Sequence, residues 1–160
     1  MNFNVDLVIV TYFPDKIKLL EGLMSLKNQV RNIIIVSNND DSFSFYDGDI
    51  IHINLKYNKG IGYAQNIGIN KAIELEADFV LTSDQDSVFP ENYVSLMLNR
   101  YADLISFDSK VAAISPMFRD SGNNFNVHPI VKWSKFGLIK VYKTDKINQV
   151  AHVISSGMII

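Results

Sequence analysis

Short apolar runs that alternate with stretches of helical spacing constrain this chain more than any other feature. Val5 to Thr11, Ile33 to Val36, Ile50 to Asn54 and Phe79 to Thr82 are rich in Val, Ile and Leu. Three of the runs are continuous enough to read as strands covered on both faces. Between them lie two patterns with helical periodicity. The first follows Pro14, which is expected to open it, and places Ile17, Leu20, Leu23, Met24 and the stem of Lys27 on or beside one face. The second follows Gly60 and Gly62 and carries Ala64, Ile67, Ala72, Ile73 and Leu75. A third helix is expected from about Pro90, with Glu91 complementing its dipole, to Leu104, and a fifth strand over Val111 to Ser115. Strand and helix in alternation predict a mostly parallel sheet flanked by helices, a Rossmann-like α/β fold. Beyond Pro116 the regularity fails. Residues 119–135 read as a mobile segment, followed by one or two short antiparallel strands.

In such a sheet, ligands lie beyond the carboxyl ends of the strands. There the runs end in polar residues: Thr11, Asn38 within Ser37-Asn38-Asn39-Asp40-Asp41-Ser42, and Asp84-Gln85-Asp86. Two carboxylates two residues apart can offer oxygen ligands to one hard divalent cation, Mg2+ or Mn2+, which can bridge to the phosphates of a nucleotide. The plainer reading of Asp84 to Asn92 is a strand-end turn and a helix cap. Composition narrows the partners. With 15 basic and 17 acidic residues among 160, the net charge is −2, so no global positive field draws nucleic acid, and a phosphate partner must be held locally. Cysteine is absent, which excludes a disulfide framework and a thiolate zinc site and suits the cytoplasm. Neither a signal-peptide pattern nor an apolar run of membrane-spanning length is visible, and the chain reads as soluble.

Four segments together resemble family-2 glycosyltransferases with the GT-A fold, in their bacterial rhamnosyltransferase branch. They are Val8-Ile9-Val10-Thr11-Tyr12-Phe13-Pro14-Asp15, Ile35-Val36-Ser37-Asn38-Asn39, Asn58-Lys59-Gly60-Ile61-Gly62-Tyr63-Ala64-Gln65-Asn66-Ile67-Gly68 and Leu81-Thr82-Ser83-Asp84-Gln85-Asp86-Ser87. The resemblance implies a nucleotide-sugar donor, dTDP-rhamnose first and a UDP-sugar second, and a glycan or lipid-linked acceptor. It places Thr11 and Asn38 at the base and ribose with Tyr12 alongside, and Asn58, Gly60 and Asn66 in the wall near the nucleotide-sugar. Asp84 and Asp86 take the metal-diphosphate site, with Asp86 the more direct ligand. Ser37 departs from the family, which commonly has an Asp there. Residues 1–118 correspond to the nucleotide-sugar-binding core and 119–160 to the start of the acceptor side. The resemblance puts the catalytic base beyond residue 160, and no residue is assigned to it. Val153 to Ile160 resembles an internal family segment, so a truncated chain with unmatched apolar surface at Val153, Ile154, Met158, Ile159 and Ile160, prone to self-association, is expected.

Other readings remain open. A nucleotidyltransferase would want a Gly-rich basic loop after the first strand, and Tyr12-Phe13-Pro14-Asp15 offers none. A non-catalytic nucleotide-sugar-binding module is compatible with every motif. His52 reads as a core or edge histidine, and His128 and His152 show no metal spacing. Lys132, Lys135, Lys140, Lys143 and Lys146 around Trp133 could touch the anionic inner face of a membrane. The preferred reading is a solvated face of a ribbon whose Leu138 and Val141 point inward.

Overall fold

The computed structural model describes residues 3–40, 50–106, 110–116, 130–135, 137–141, 150, 153 and 155–160. In chain order these form β1 (Val5–Thr11), α1 (Lys16–Leu26), β2 (Asn32–Ser37), β3 (Ile50–Asn54), α2 (Ile61–Glu74), β4 (Phe79–Ser83) and α3 (Tyr93–Ile105). Then follow β5 (Ile130–Ser134), β6 (Gly137–Val141) and β7 (Met158–Ile159). The sheet has the order β3-β2-β1-β4-β7, parallel throughout except for the antiparallel β7, while β5 and β6 make a separate antiparallel pair. The α/β class, the parallel sheet and the late antiparallel strands agree with the sequence reading. Expectations for Phe118 to Asn126, His128, His152, Ile154, Lys143 and Lys146 lie outside the described residues.

Side-chain alternation along the strands builds two cores. Leu7, Ile9, Ile33, Ile35, Phe79 and Leu81 face α1 and α3, meeting Leu19, Leu23, Leu26, Tyr93 and Val94. Val8, Ile34, Val36 and Val80 face α2 and meet Ala64 and Ala72. Small residues bring α2 down onto the sheet. A Cβ added at Gly68 would lie 2.4 Å from Val8 Cγ1 and 3.2 Å from Val36 Cγ2.

Four sequence expectations need correction. Asp15 caps α1, its side chain accepting from the N–H groups of Ile17 and Lys18 at 3.0 and 3.4 Å, so Pro14 precedes the cap. The buried face of α1 is Leu19, Gly22, Leu23 and Leu26, while Ile17, Leu20 and Met24 are exposed. Apolar residues occupy both stripes of this helix, and the stripe containing glycine wins because a Cβ at Gly22 would come within 2.6 Å of the Ser87 carbonyl oxygen. α3 begins at Tyr93 rather than Pro90, because Gln29 from beyond α1 supplies the cap: its Oε1 accepts from Val94 N–H at 3.1 Å and its Nε2 donates to the Pro90 carbonyl at 2.7 Å. Val111 to Ser115 is not a strand. Ile114 makes one antiparallel bridge with Ile159, since β7 already occupies the edge of β4.

That last contact also alters the expectation for the chain's end. Ile159 is buried in the α1/α3 core, although Val153 and Ile160 are exposed. Leu138, expected to point inward, is exposed as well.

Gly68→Ala should destabilise the fold by about 1–3 kcal/mol through overpacking. Gly62→Ala, with nothing within 4 Å of the added methyl, should be neutral or slightly stabilising. Chemical denaturation of the two variants checks the contrast.

Candidate functional site

The strand order contains one reversal. From β1 the chain passes through α1 to β2 on one side, and after β3 it returns through α2 to β4 on the other. The carboxyl ends of β1 and β4 therefore flank the crevice where ligands bind in open α/β sheets. Register brings the ends level: Ile9 pairs with Ser83, and Thr11 with Ser37.

The Asp84-Gln85-Asp86 turn is fastened to β1 through its middle residue. Tyr12 N–H donates to Gln85 Oε1 at 2.8 Å, and Gln85 Nε2 donates back to the Tyr12 carbonyl at 3.4 Å. Both carboxylates stay at the surface. Next to Tyr12, Phe13 adopts φ 44°, a left-handed conformation uncommon for an aromatic residue. Its N–H is held by Asn39 Oδ1 at 3.2 Å, and its ring lies 4.7 Å from that of Tyr12.

Asn38 performs a second fastening. Its Oδ1 accepts from Lys59 N–H at 2.8 Å and its Nδ2 donates to Asn58 Oδ1 at 3.1 Å, while Asn58 Oδ1 also accepts from Gly60 N–H at 2.8 Å. These bonds fix the loop that enters α2 at Gly60, whose φ of 85° favours glycine. Asn38 is only 4% exposed, so its amide is committed to the loop. Thr11 is buried too. Its hydroxyl lies 3.2 Å from Ser37 Oγ, which in turn lies 2.7 Å from His52 Nε2, forming a polar chain beneath the rim. Asn66 stands exposed in the second turn of α2. The site thus joins Tyr12 to the acidic turn and Asn38 to Asn58 and Gly60, with Thr11 one layer below.

Although its residue is exposed, the Asp84 carboxyl is partly desolvated against the rim, which raises it above its ordinary value of 3.8; the neighbouring Asp86 charge adds to the rise, and the Ser156 hydroxyl partly offsets it. Two such carboxylates suit a hard cation that keeps several waters and shares its remaining ligands with a phosphate. Among the described residues no group of three or more His, Cys, Asp or Glu is placed to hold a metal ion.

A family model described as "Glycosyl transferase family 2" matches residues 6–159. The chain belongs to this family. A dTDP-rhamnosyl transferase, RfbF of Shigella flexneri, is 34% identical over 151 residues, covering 91% of this chain and 49% of that protein. The chain spans about half the length of the curated relative it matches. Among solved structures, residues 1–349 of S. aureus TarS align over 82% of this chain and 42% of that one at 17% identity and TM-score 0.47. A Francisella tularensis 2-C-methyl-D-erythritol 4-phosphate cytidylyltransferase aligns over 98% and 71% at 12% identity and TM-score 0.42. No helix among the described residues is long and apolar enough to cross a membrane.

Sequence reasoning missed Gln85, Asn39 and Ser156. Gln85 was within reach, because a side chain between two ligand candidates must be satisfied elsewhere. Ser156 lies 72 residues from Asp84, and only the antiparallel return of β7 brings it near.

A carboxyl whose folded pKa is raised binds a proton more readily in the folded state. Stability therefore falls as pH rises from the unfolded value through the folded one. Asp84→Asn should melt above the parent protein at pH 7 in chelator, and the gap should close below pH 3.8, as scanning calorimetry across pH will show.

Proposed function

We propose that this chain forms the donor side of an inverting glycosyltransferase that moves a sugar from a pyrimidine nucleotide, dTDP-rhamnose first and a UDP-sugar second, to a glycan or lipid-linked acceptor of bacterial surface polysaccharide assembly. One observation carries the reading. At the switch point of a family-2 chain, the acidic turn and the end of β1 are held together by both ends of the Gln85 amide. The similarity to a dTDP-rhamnosyl transferase favours dTDP over UDP.

In this arrangement, Asp84 and Asp86 hold the cation, Asp86 more directly, and Tyr12 borders the nucleoside. Asn38 serves by shaping the Asn58 to Gly60 wall rather than by touching the base itself. A bound divalent cation supplies positive charge against the departing nucleoside diphosphate. The carboxylates alone would repel that diphosphate: two like charges 4 Å apart cost roughly 1 kcal/mol in water and about 4 kcal/mol at an effective dielectric near 20. The general base that activates the acceptor hydroxyl is assigned to no residue of this chain.

Calorimetry with dTDP and UDP should show binding in Mn2+ or Mg2+ and none in chelator. Asp86→Asn should lose at least about tenfold in affinity, equivalent to roughly 1.4 kcal/mol. Asn38→Ala should weaken both pyrimidine diphosphates by releasing the loop. Equal affinity with and without metal would refute the cation's role, and equal binding of ADP would refute the pyrimidine assignment.

A further inference from the structure

The acidic turn is fastened on its other side by a segment that the donor-binding reading does not use. Asp84 N–H donates to Ser156 Oγ at 3.2 Å, and Ser156 Oγ lies 2.9 Å from Ser87 Oγ. The neighbouring Ser156 hydroxyl also favours the charged form of the Asp84 carboxyl. A serine hydroxyl has one proton and two lone pairs. The Ser156 oxygen accepts from Asp84 N–H while one proton is shared between the Ser156 and Ser87 hydroxyls.

The segment bearing Ser156 is itself tightly anchored. The Thr82 hydroxyl donates to the Ser155 carbonyl, and Gly157 N–H donates to the Thr82 carbonyl at 2.8 Å. The Tyr93 hydroxyl donates to the Gly157 carbonyl, and burial raises the Tyr93 pKa so that the group stays a neutral donor. Gly157 has φ 75°, and a Cβ there would lie 2.7 Å from the Tyr93 hydroxyl and 3.3 Å from Phe89 and Pro116. Met158 and Ile159 then pair with Thr82 and Leu81. Ser156 is held on a turn with little freedom, immediately beside one candidate cation ligand.

We propose that Ser156 is a positioning residue, which fixes the backbone of Asp84 so that the acidic turn is preorganised for a cation carrying a nucleoside diphosphate. The inference rests on the donor-binding reading above. Ser87 supports Ser156 from the outer side, and Gly157 admits the close approach of α3 that locks the turn.

The test uses the whole chain with Mn2+ and dTDP. Mn2+ affinity in the presence of dTDP is read by electron paramagnetic resonance, and thermal unfolding is followed in chelator. Ser156→Ala should weaken Mn2+ binding about three- to tenfold, the weight of one lost hydrogen bond, with little change in melting temperature. Ser156→Thr keeps the hydroxyl and should restore affinity to within about twofold of the parent. Ser87→Ala should give a smaller loss, and it keeps the proposal testable if Ser156→Ala folds poorly. Parent-like affinity in both alanine variants would overturn the proposal. So would a loss shared by Ser156→Ala and Ser156→Thr that tracks a lowered melting temperature, since that marks a purely structural role. If the parent chain itself fails to bind Mn2+ with dTDP, the donor-binding reading falls and this inference with it, a result distinct from failure of the variants alone.

Discussion

Everything at the rim depends on β1 being hydrogen-bonded along both edges and covered on both faces. Its pairing with β2 and β4 satisfies the backbone, and Leu7, Val8 and Ile9 are almost wholly buried. Once that register is set, the positions of Thr11, Tyr12, Ser37 and Ser83 are no longer independent. The opposite end of the strand shows what this burial demands. Asp6 is fully buried, and its carboxylate accepts from Arg31 Nε at 3.0 Å, Arg31 Nη2 at 2.9 Å and Asn32 Nδ2 at 3.1 Å. The same guanidinium donates to the Leu75 carbonyl at 2.8 Å, tying the end of α2 to the start of the sheet. The hydrogen bond to Asp6 leads the rise in the Arg31 pKa, so the clamp stays charged. Charge closes the amino end of the sheet, and the carboxyl end is left for ligand.

Much of this was legible in the residues, for reasons that differ by element. β1 and β3 fall on the expected residues because continuous β-branched runs ending in polar clusters admit few other conformations. The acidic turn stands out only beside the three other family-like segments, since Asp-x-Asp alone reads more plainly as a strand-end turn and a helix cap. α1 was placed correctly and its face was not, since Ile17, Leu20 and Met24 are as apolar as the residues that pack, and the deciding contact is made by a glycine. The start of α3 was hidden because its cap comes from Gln29, in another element.

The roles of Thr11 and Asn38 show a different limit. Their positions at the rim could be read from strand ends, but their orientations could not. A hydroxyl at a strand end can face ligand or protein, and Thr11 found Ser37, itself hydrogen-bonded to His52. An amide can read a base or satisfy a loop, and Asn38 spends both its polar atoms on Asn58 and Lys59. Sequence gives the inventory of polar groups at the crevice. Tertiary contacts decide which are already satisfied, and so which remain for chemistry.

The antiparallel placement of β7 also ties the protection of a sheet edge to the acidic turn. β1 to β4 and their three helices lie within residues 5–105, whereas β7 joins β4 from residues 158–159. Without that pairing the central sheet would still have its β4 edge bare. A bare edge offers unpaired amide and carbonyl groups, the geometry that invites strand exchange between chains. Ile159 seals the edge, and the same segment brings Ser156 to the acidic turn. Covering of the β4 edge and the placing of Ser156 beside Asp84 therefore depend on one and the same pairing.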